Sequence, residues 1–256
     1  ATVQGITEFL PVSSSGHLVL APLFFDWTDQ GLAFDVAVHF GSLIAVVVFF
    51  RKDITSLLAG GMQALGGNIS TPESRLAIAI AMGTVPAAVG GLLFASWIEV
   101  NLRDPAVIVY TLSGYGILML IADRIGRRDR HMADVGFKDA LIIGFAQALA
   151  LVPGTSRSGV TISAARFLGF TRQGAARFSF LLSAPVIALA AGYKLLQLIM
   201  GDAAVAWGQL AFGALVSCVV AYLSIEFFMR FVSCIGLAPF AIYRILLAAT
   251  IFYVLV

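Results

Sequence analysis

Residues 4–17 read Gln-Gly-Ile-Thr-Glu-Phe-Leu-Pro-Val-Ser-Ser-Ser-Gly-His, a polar segment in an otherwise apolar chain. The segment carries a carboxylate at Glu8, three serine hydroxyls and an imidazole at His17. Ionisable side chains at membrane depth are costly, so they usually face a bundle interior or a water-filled cavity and mark a functional site. Glu8 and His17 are therefore the first candidates for function.

The composition indicates a membrane protein. Of the 256 residues, 60% are hydrophobic and only 12% are charged, whereas a soluble domain carries about 25% charged residues. The net charge of +2 is too small to suggest nucleic acid as a partner. Cys218 and Cys234 are the only cysteines and lie in or beside apolar runs, which argues for inert thiols. Because the first residues fall directly into the motif, we expect part of a helix to precede Ala1.

Six apolar runs are long enough to span a bilayer, which takes about 20 helical residues. They cover residues 34–50, 76–98, 106–123, 178–200, 207–229 and 236–256. Two further apolar stretches, 1–26 and 139–170, are interrupted by Pro, Gly and Ser, the first from Pro11 and the second at 153–159. Non-helical backbone at membrane depth is tolerated only where protein or trapped water covers it. We therefore predict two re-entrant helix-loop-helix segments whose breaks lie inside the protein.

The basic residues predict the orientation. They concentrate in two predicted loop segments, 51–75 and 124–138, whereas the short loop between these segments carries only Arg103 beside two acidic residues. The positive-inside rule places the first two segments in the cytoplasm. The first re-entrant segment then enters from the outer face and the second from the cytoplasmic face.

The predicted fold is an all-α integral membrane protein with six transmembrane helices plus two re-entrant segments, forming one membrane domain over 1–256. Residues 1–123 and 138–256 would form the two halves of an inverted-topology repeat, joined by a basic cytoplasmic loop at 124–137. Such repeats bring two broken helices together near the midplane of the membrane. We therefore expect the second break to contribute Arg157, facing Glu8, Ser14 and His17.

The first break offers groups for acid-base or nucleophilic chemistry. Gln4 and Glu8 are four residues apart and share a helix face, and Ser14 and His17 are three apart, so hydroxyl and imidazole can approach one another. Ser13 or Ser14 also suits a helix N-cap. The alternative is a serine-rich cap followed by a histidine whose hydrogen bonds are satisfied.

The second break, residues 153–159, offers hydroxyls, glycines and Arg157 at what reads as a helix start. Free backbone N–H groups, the positive end of a helix dipole and a guanidinium together suit a phosphate. Alternatively, Arg157 bridges carbonyls across the two loops. Asp35 and His39 could flank the site or pair with each other, and Arg244 lies well inside the last span and needs a partner or a cavity.

Both breaks resemble motifs of a known family, the bacterial undecaprenyl-diphosphate phosphatases or bacitracin-resistance family. Residues 4–17 are similar to its (Glu/Gln)-x-x-x-Glu and Pro-x-Ser-Ser-x-Gly-His signatures, and Pro-Gly-Thr-Ser-Arg-Ser-Gly at 153–159 is similar to its Pro-Gly-x-Ser-Arg-Ser-Gly motif. The similarity extends through 178–182 and 239–244 and covers essentially the whole chain.

The resemblance implies an activity and a location. The expected reaction is hydrolysis of undecaprenyl diphosphate to undecaprenyl phosphate and inorganic phosphate, which recycles the carrier lipid of cell-wall synthesis. The expected cofactor is a divalent cation, Mg²⁺ or Ca²⁺. The protein would lie in the bacterial inner membrane with its active site on the periplasmic side, and the resemblance is compatible with a homodimer.

The resemblance also implies roles for individual residues. Glu8 would be the essential acid and main metal ligand. Gln4 is the permitted amide variant of the first signature position and would contribute less charge to the metal than a carboxylate. Ser14 and His17 would be the reactive pair and Arg157 the phosphate ligand. The remaining substrate-binding candidates are Gln4, Ser13, Ser15, Gly154, Thr155, Ser156, Ser158 and Gly159.

Two questions stay open at this point. In an in-line displacement at the terminal phosphorus, either Ser14 or His17 could be the nucleophile. A transporter or flippase for a lipid phosphate or small anion would also use inverted repeats, broken helices and Arg157. A nucleophile beside a base favours the hydrolase, because a carrier has no use for that pair.

Overall fold

The computed structural model of this protein describes residues 1–14, 16–17, 31–102, 104–200 and 207–255. Within these ranges the chain is helical, and the only strand-like pairing is an isolated bridge between Arg130 and Phe170. The helices are α1 (Thr2–Thr7), α2 (Gly31–Phe49), α3 (Arg51–Leu65), α4 (Pro72–Asn101), α5 (Pro105–Ile125), α6 (Phe137–Leu149), α7 (Arg157–Phe167), α8 (Arg172–Ile199), α9 (Trp207–Ile235) and α10 (Ala238–Leu255), with a 3₁₀ turn at Met132–Asp134. The predicted all-α class is confirmed.

Five helices, α4, α5, α8, α9 and α10, are long and apolar enough to cross a membrane. A sixth span is obtained when α2 is counted together with α3, to which it is bent by 87°. Five of the six predicted spans are confirmed; the sixth, 34–50, corresponds to α2, which reaches spanning length only together with α3. The protein is therefore a multi-pass membrane protein.

The segment 51–75, predicted as a loop, instead contains the helix α3. Its apolar residues recur at helical spacing, so one face can be buried although the segment is too polar to span. Ile54 and Leu57 pack against the core, whereas Leu65 is exposed. This helix was not predicted because it is shorter and more polar than a membrane span.

The caps explain why some helices extend beyond the predicted runs. α4 begins at Pro72 because the Thr71 hydroxyl accepts a hydrogen bond from the Ser74 N–H at 3.2 Å and proline suits the first helical position. Asp104 and Pro105 start α5 in the same way, with Asp104 accepting from the Ala106 N–H at 2.7 Å.

Small residues allow the helices to approach closely. α2 packs on α9, α4 on α6, and α5 on α10. A side chain at Gly41 would overlap the backbone of Ala214, and one at Gly144 would overlap Gly83. Close contact at small residues is the usual way in which membrane helices associate. α1 packs on α9, and α6 packs on α4. In each pair the first helix of one predicted half packs on a spanning helix of the other half, as an inverted repeat would require. The division into two halves stays a prediction.

An aromatic cluster anchors the first break. The Phe180 ring contacts the rings of Phe9, Phe50 and Phe228 at centroid distances of 5.5, 6.2 and 5.6 Å. Phe9 is fully buried and directly follows Glu8. The packing of Phe9 therefore fixes the position at which α1 ends and the Glu8 side chain projects.

The start of α8 contacts both basic segments. Asp123, at the end of α5, accepts two hydrogen bonds from Arg172, each 2.7 Å long. One and a half turns further along α8, Arg177 pairs with Asp53 of α3 at 2.6 Å. The two basic segments therefore lie at one end of α8, as a common side of the membrane requires. Which side that is stays a prediction.

Candidate active site

The two helix breaks contact each other through side chains of the second break. Arg157 donates from Nη2 to Glu8 Oε1 at 3.1 Å and to the Glu8 backbone carbonyl at 3.4 Å. The Ser158 hydroxyl donates to the carbonyl of Leu10 at 3.1 Å. The structure thus brings Glu8 and Arg157 together, as the sequence predicts, whereas the described residues show no contact of Arg157 with Ser14 or His17.

Each break contains a serine with a positive φ angle, Ser13 at 73° and Ser156 at 67°. This left-handed region is unfavourable for residues other than glycine, and strain of this kind is often found at functional sites. Ser156 is also the N-cap of α7, since its hydroxyl accepts from the Gly159 N–H at 3.3 Å. The positive φ angle of Ser156 and its cap together orient α7 so that its first residues lie against the first break.

The Glu8 carboxylate has a hydrogen-bond donor on each oxygen. Gln4 donates from Nε2 to Oε2 at 2.8 Å, and Arg157 occupies Oε1. The same Gln4 nitrogen lies 3.2 Å from His39 Nε2, and His39 Nδ1 lies 2.8 Å from the Asp35 carbonyl. Because a carbonyl only accepts, Nδ1 carries the hydrogen and Nε2 accepts from Gln4. His39 therefore orients the Gln4 amide, and Asp35 takes part through its backbone.

Arg157 retains an unused donor. Its Nη1 is buried and has no hydrogen-bond partner among the described residues, and the same holds for the Thr155 hydroxyl. Buried polar groups are almost always paired, so these two donors call for an explanation. The bridging alternative accounts for Nη2 only. The free Nη1 beside the start of α7 is suited to an oxygen of an anionic ligand.

The imidazole of His17 is held at both nitrogens. Nδ1 lies 2.7 Å from the Ser13 carbonyl and Nε2 lies 2.6 Å from the Tyr243 hydroxyl. Residues 14, 16 and 17 have helical backbone, which places the Ser13 carbonyl one turn before the ring. The structure therefore does not bring the Ser14 hydroxyl to the imidazole. That hydroxyl makes no hydrogen bond to any described residue, and Ser15 lies outside the described residues.

Arg244 of α10 binds backbone carbonyls at the second break and in α5. It is fully buried and donates from Nη2 to the Gly154 carbonyl at 2.9 Å and from Nε to the Leu112 carbonyl at 3.3 Å. The Thr111 hydroxyl donates to the carbonyl of Pro153 at 2.7 Å. The partners that the sequence requires for Arg244 are therefore backbone carbonyls of the loop and of α5, while its buried Nη1 has no hydrogen-bond partner among the described residues.

Tyr243 was not identified from the sequence. Its hydroxyl lies in an apolar helix next to Arg244 and within the stretch 239–244 that resembles the known family. These two facts are the only sequence signals for it. Its partner His17 is 226 residues away, so the contact depends on the packing of α10.

The cluster offers one carboxylate, that of Glu8, to a divalent cation. Within the described ranges no group of three His, Cys, Asp or Glu side chains could hold a metal ion. Mg²⁺ prefers oxygen ligands and is commonly bound by one or two carboxylates together with phosphate oxygens. Glu8 supplies one carboxylate. Gln4 directs its NH₂ group at Glu8, so its oxygen would become a ligand only after the amide turns.

The chain is similar to known proteins along almost its whole length. The family described as bacitracin resistance protein BacA matches residues 1–250. The chain is 50% identical over 254 residues to an undecaprenyl-diphosphatase of Thioalkalivibrio sulfidiphilus, covering 99% of this chain and 96% of the relative. It is 53% identical over 250 residues to an undecaprenyl-diphosphatase of Hahella chejuensis, covering 97% and 93%. With undecaprenyl-diphosphatase 2 of Stutzerimonas stutzeri it shares 49% over 254 residues, covering 98% and 94%.

Proposed function

Because this chain belongs to the bacitracin resistance protein BacA family, we propose that it is an enzyme that hydrolyses undecaprenyl diphosphate to undecaprenyl phosphate and inorganic phosphate. This reaction returns the carrier lipid to cell-wall synthesis. The observation that carries the proposal is the contact between Glu8 and Arg157, which joins an acid and a phosphate-binding group across the two helix breaks. The rival transporter is not favoured by the relatives, which are named as diphosphatases.

Arg157 and the start of α7 bind the terminal phosphate in this proposal. The Nη1 donor of Arg157 is free among the described residues, and α7 begins at that residue, so its positive dipole end lies at the same place. These groups are fixed before the substrate arrives. They can therefore stabilise the negative charge that develops on the phosphoryl oxygens as the bond to the leaving group breaks.

His17 has one lone pair, at Nε2. Its Nδ1 carries the hydrogen because the Ser13 carbonyl can only accept, so the neutral Nε2 accepts from the Tyr243 hydroxyl, 2.6 Å away. If Ser14 attacks, its hydroxyl turns to the ring and replaces the Tyr243 hydroxyl at Nε2, which accepts the proton; if His17 attacks, Nε2 separates from Tyr243 and itself bonds to phosphorus. In both routes the bond between the terminal phosphorus and the bridging oxygen breaks, undecaprenyl phosphate leaves with the electron pair, and water then releases inorganic phosphate.

Glu8 would hold the divalent cation, Mg²⁺ or Ca²⁺, with Gln4 as an additional ligand. When bound, the cation supplies positive charge against the diphosphate oxygens. Arg157 keeps Glu8 at the meeting point of the breaks, so the carboxylate is already in place.

The site opens toward the periplasm in this proposal, and the protein lies in the inner membrane. The distribution of basic residues supports that orientation, because it brings residues 4–17 in from the outer face. A homodimer stays a prediction.

Phosphate release from undecaprenyl diphosphate by the purified protein in detergent with Mg²⁺ tests the proposed function. We expect turnover by the wild type and almost none by Arg157→Ala. A wild type that releases no phosphate but moves the lipid across vesicle membranes would instead support the transporter.

A further inference from the structure

We propose that the loop after α5 and the C-terminal end of α7 form a binding site for the headgroup phosphate of an anionic phospholipid. The site is a cavity of about 440 Å³ between the basic segment 124–138 and the end of α7. Cavities that bind small ligands typically measure about 300–1,000 Å³. The cavity is separate from the two helix breaks, so the inference does not depend on the proposed reaction.

Hydrogen bonds hold the two walls of this cavity together. Arg166, in the last turn of α7, is fully buried and donates to the carbonyls of Gly126 at 3.0 Å and Arg127 at 2.8 Å. The backbone N–H of Arg130 donates to the Gly169 carbonyl at 3.2 Å. The loop is therefore fixed against the end of α7 before a ligand arrives.

Gly169 leaves the space between the walls open. Its φ angle is +90°, in the left-handed region that favours glycine. A Cβ at this position would lie 3.4 Å from Asp129 Oδ1 and 3.6 Å from side-chain carbons of both Arg127 and Arg130. Three side chains of the loop therefore meet around a residue that has no side chain of its own.

The charge of the segment suits a phosphate. Three of its arginines are exposed and form no ion pair with any residue that the structure describes: Arg124, Arg127 and Arg128. Arg130 already pairs with Asp139 at 2.6 Å, which leaves Arg127 as the arginine of the cavity with an unused guanidinium. A guanidinium binds phosphate through paired, charge-assisted hydrogen bonds. Arg127 is therefore the expected phosphate ligand, and Asp129, which also lines the cavity, opposes it.

The apolar rim of the cavity indicates a lipid and not a free ion. Ile125 and Phe167 both line the cavity and are 67% and 43% exposed. Ile125 is the last residue of the spanning helix α5, so the cavity lies near the level of the lipid headgroups. An acyl chain can therefore cover these two side chains while the phosphate reaches Arg127. Basic pockets between membrane helices are a recurrent kind of site for anionic headgroups.

The test measures binding of phosphatidylglycerol to the purified protein in detergent by native mass spectrometry. Phosphatidylcholine with the same acyl chains is the comparison, because its headgroup has no net charge. We expect the wild type to retain phosphatidylglycerol at lower lipid concentrations than phosphatidylcholine. Arg127→Gln should weaken the binding of phosphatidylglycerol about tenfold, as the loss of one charge-assisted hydrogen bond would.

Two further variants test whether the cavity, and not the overall charge, is responsible. Arg124→Gln removes an exposed arginine of the same segment that is not part of the cavity lining, and it should weaken binding no more than about twofold. Asp129→Asn removes the opposing charge at almost constant shape and should strengthen binding. Because the two changes inside the cavity act in opposite directions, a loss of folding cannot produce both results.

Three results would overturn the inference. One is equal retention of the two lipids by the wild type. Another is an Arg127→Gln protein that binds phosphatidylglycerol as well as the Arg124→Gln protein does, or an Asp129→Asn protein that binds it no better than the wild type. The third is displacement of the lipid by inorganic phosphate at an equal concentration, which would show that the cavity takes a free phosphate and that its apolar rim has no role.

Discussion

Arg157 contacts Glu8 at both the carboxylate and the backbone carbonyl, across 149 residues of sequence. The two side chains are only 12% and 10% exposed. A buried pair of opposite charges holds each partner in a defined place, and removing one leaves the other uncompensated. The arrangement of the candidate active site therefore depends on the contact between the two helix breaks.

Two replacements of Arg157 should show how much of its effect on activity comes from its positive charge and how much from its planar guanidinium. Arg157→Ala is expected to lower kcat/KM by at least about 10²-fold, the size of effect found when one transition-state donor is removed. Arg157→Lys keeps the charge but loses the planar fork, so it should recover only part of the activity. Arg177→Ala is the control, because its pair with Asp53 is at the surface and contributes little. Full activity of Arg157→Lys, measured as phosphate release, would contradict the assigned role.

Glu8→Gln should cost both activity and stability. It leaves the Arg157 guanidinium without its counter-charge, a change that typically costs about 3 kcal/mol. The double variant Glu8→Gln with Arg157→Gln removes both charges and should regain much of the lost thermal stability while staying inactive. Thermal unfolding in detergent and phosphate release measure the two effects. Equal stability of the single and double variants would show that the pair is not coupled.

The meeting of the two breaks could be predicted because its causes are visible in the chain. Interrupted apolar runs mark the breaks, and the basic segments give them opposite directions of entry. The contact of His17 with Tyr243 could not be predicted in the same way, and His39 was predicted as a residue that could flank the site but not as the partner of Gln4. Tyr243 and His39 depend on how α10 and α2 rotate against the breaks, which is decided by close contacts at residues such as Gly16 and Gly41. The helix α3 was not predicted because it is a short amphipathic segment without a spanning apolar run.

The nucleophile can be identified by trapping. We expect one phosphoryl group per chain after rapid quenching with labelled substrate, carried by either Ser14 or His17. A serine phosphate survives acid, whereas a phosphohistidine is labile in acid and stable in base, so the two are distinguishable. Arg157→Ala should trap almost no label because the phosphate is not held for attack. Full turnover by Ser14→Ala would eliminate the serine route, and label on neither residue would point to direct attack by water.

Arg244→Met should weaken the second break without touching the first. Methionine fills much of the space but leaves the carbonyls of Gly154 and Leu112 without their donor, and each unsatisfied buried group costs about 1–3 kcal/mol. We expect lower thermal stability and weaker binding of substrate, seen as a raised KM. Arg230→Met, an exposed arginine on α9, is the control and should behave as the wild type. An Arg244→Met protein with unchanged stability and KM would show that the loop holds its shape unaided.

The cation proposal makes a prediction at Gln4. Its amide lies 2.8 Å from Glu8 Oε2, so Gln4→Glu places a second carboxylate against the first. Like charges at this distance repel, and a divalent cation bound between them relieves the repulsion. The variant should therefore unfold at a lower temperature than the wild type in EDTA, gain more stability from added Mg²⁺, and reach half-maximal activity at a lower Mg²⁺ concentration. Gln197→Glu, an exposed glutamine on α8, controls for the added charge. If Mg²⁺ stabilises Gln4→Glu no more than the wild type, the cation does not bind beside Gln4, and Glu8 serves the reaction through Arg157 alone.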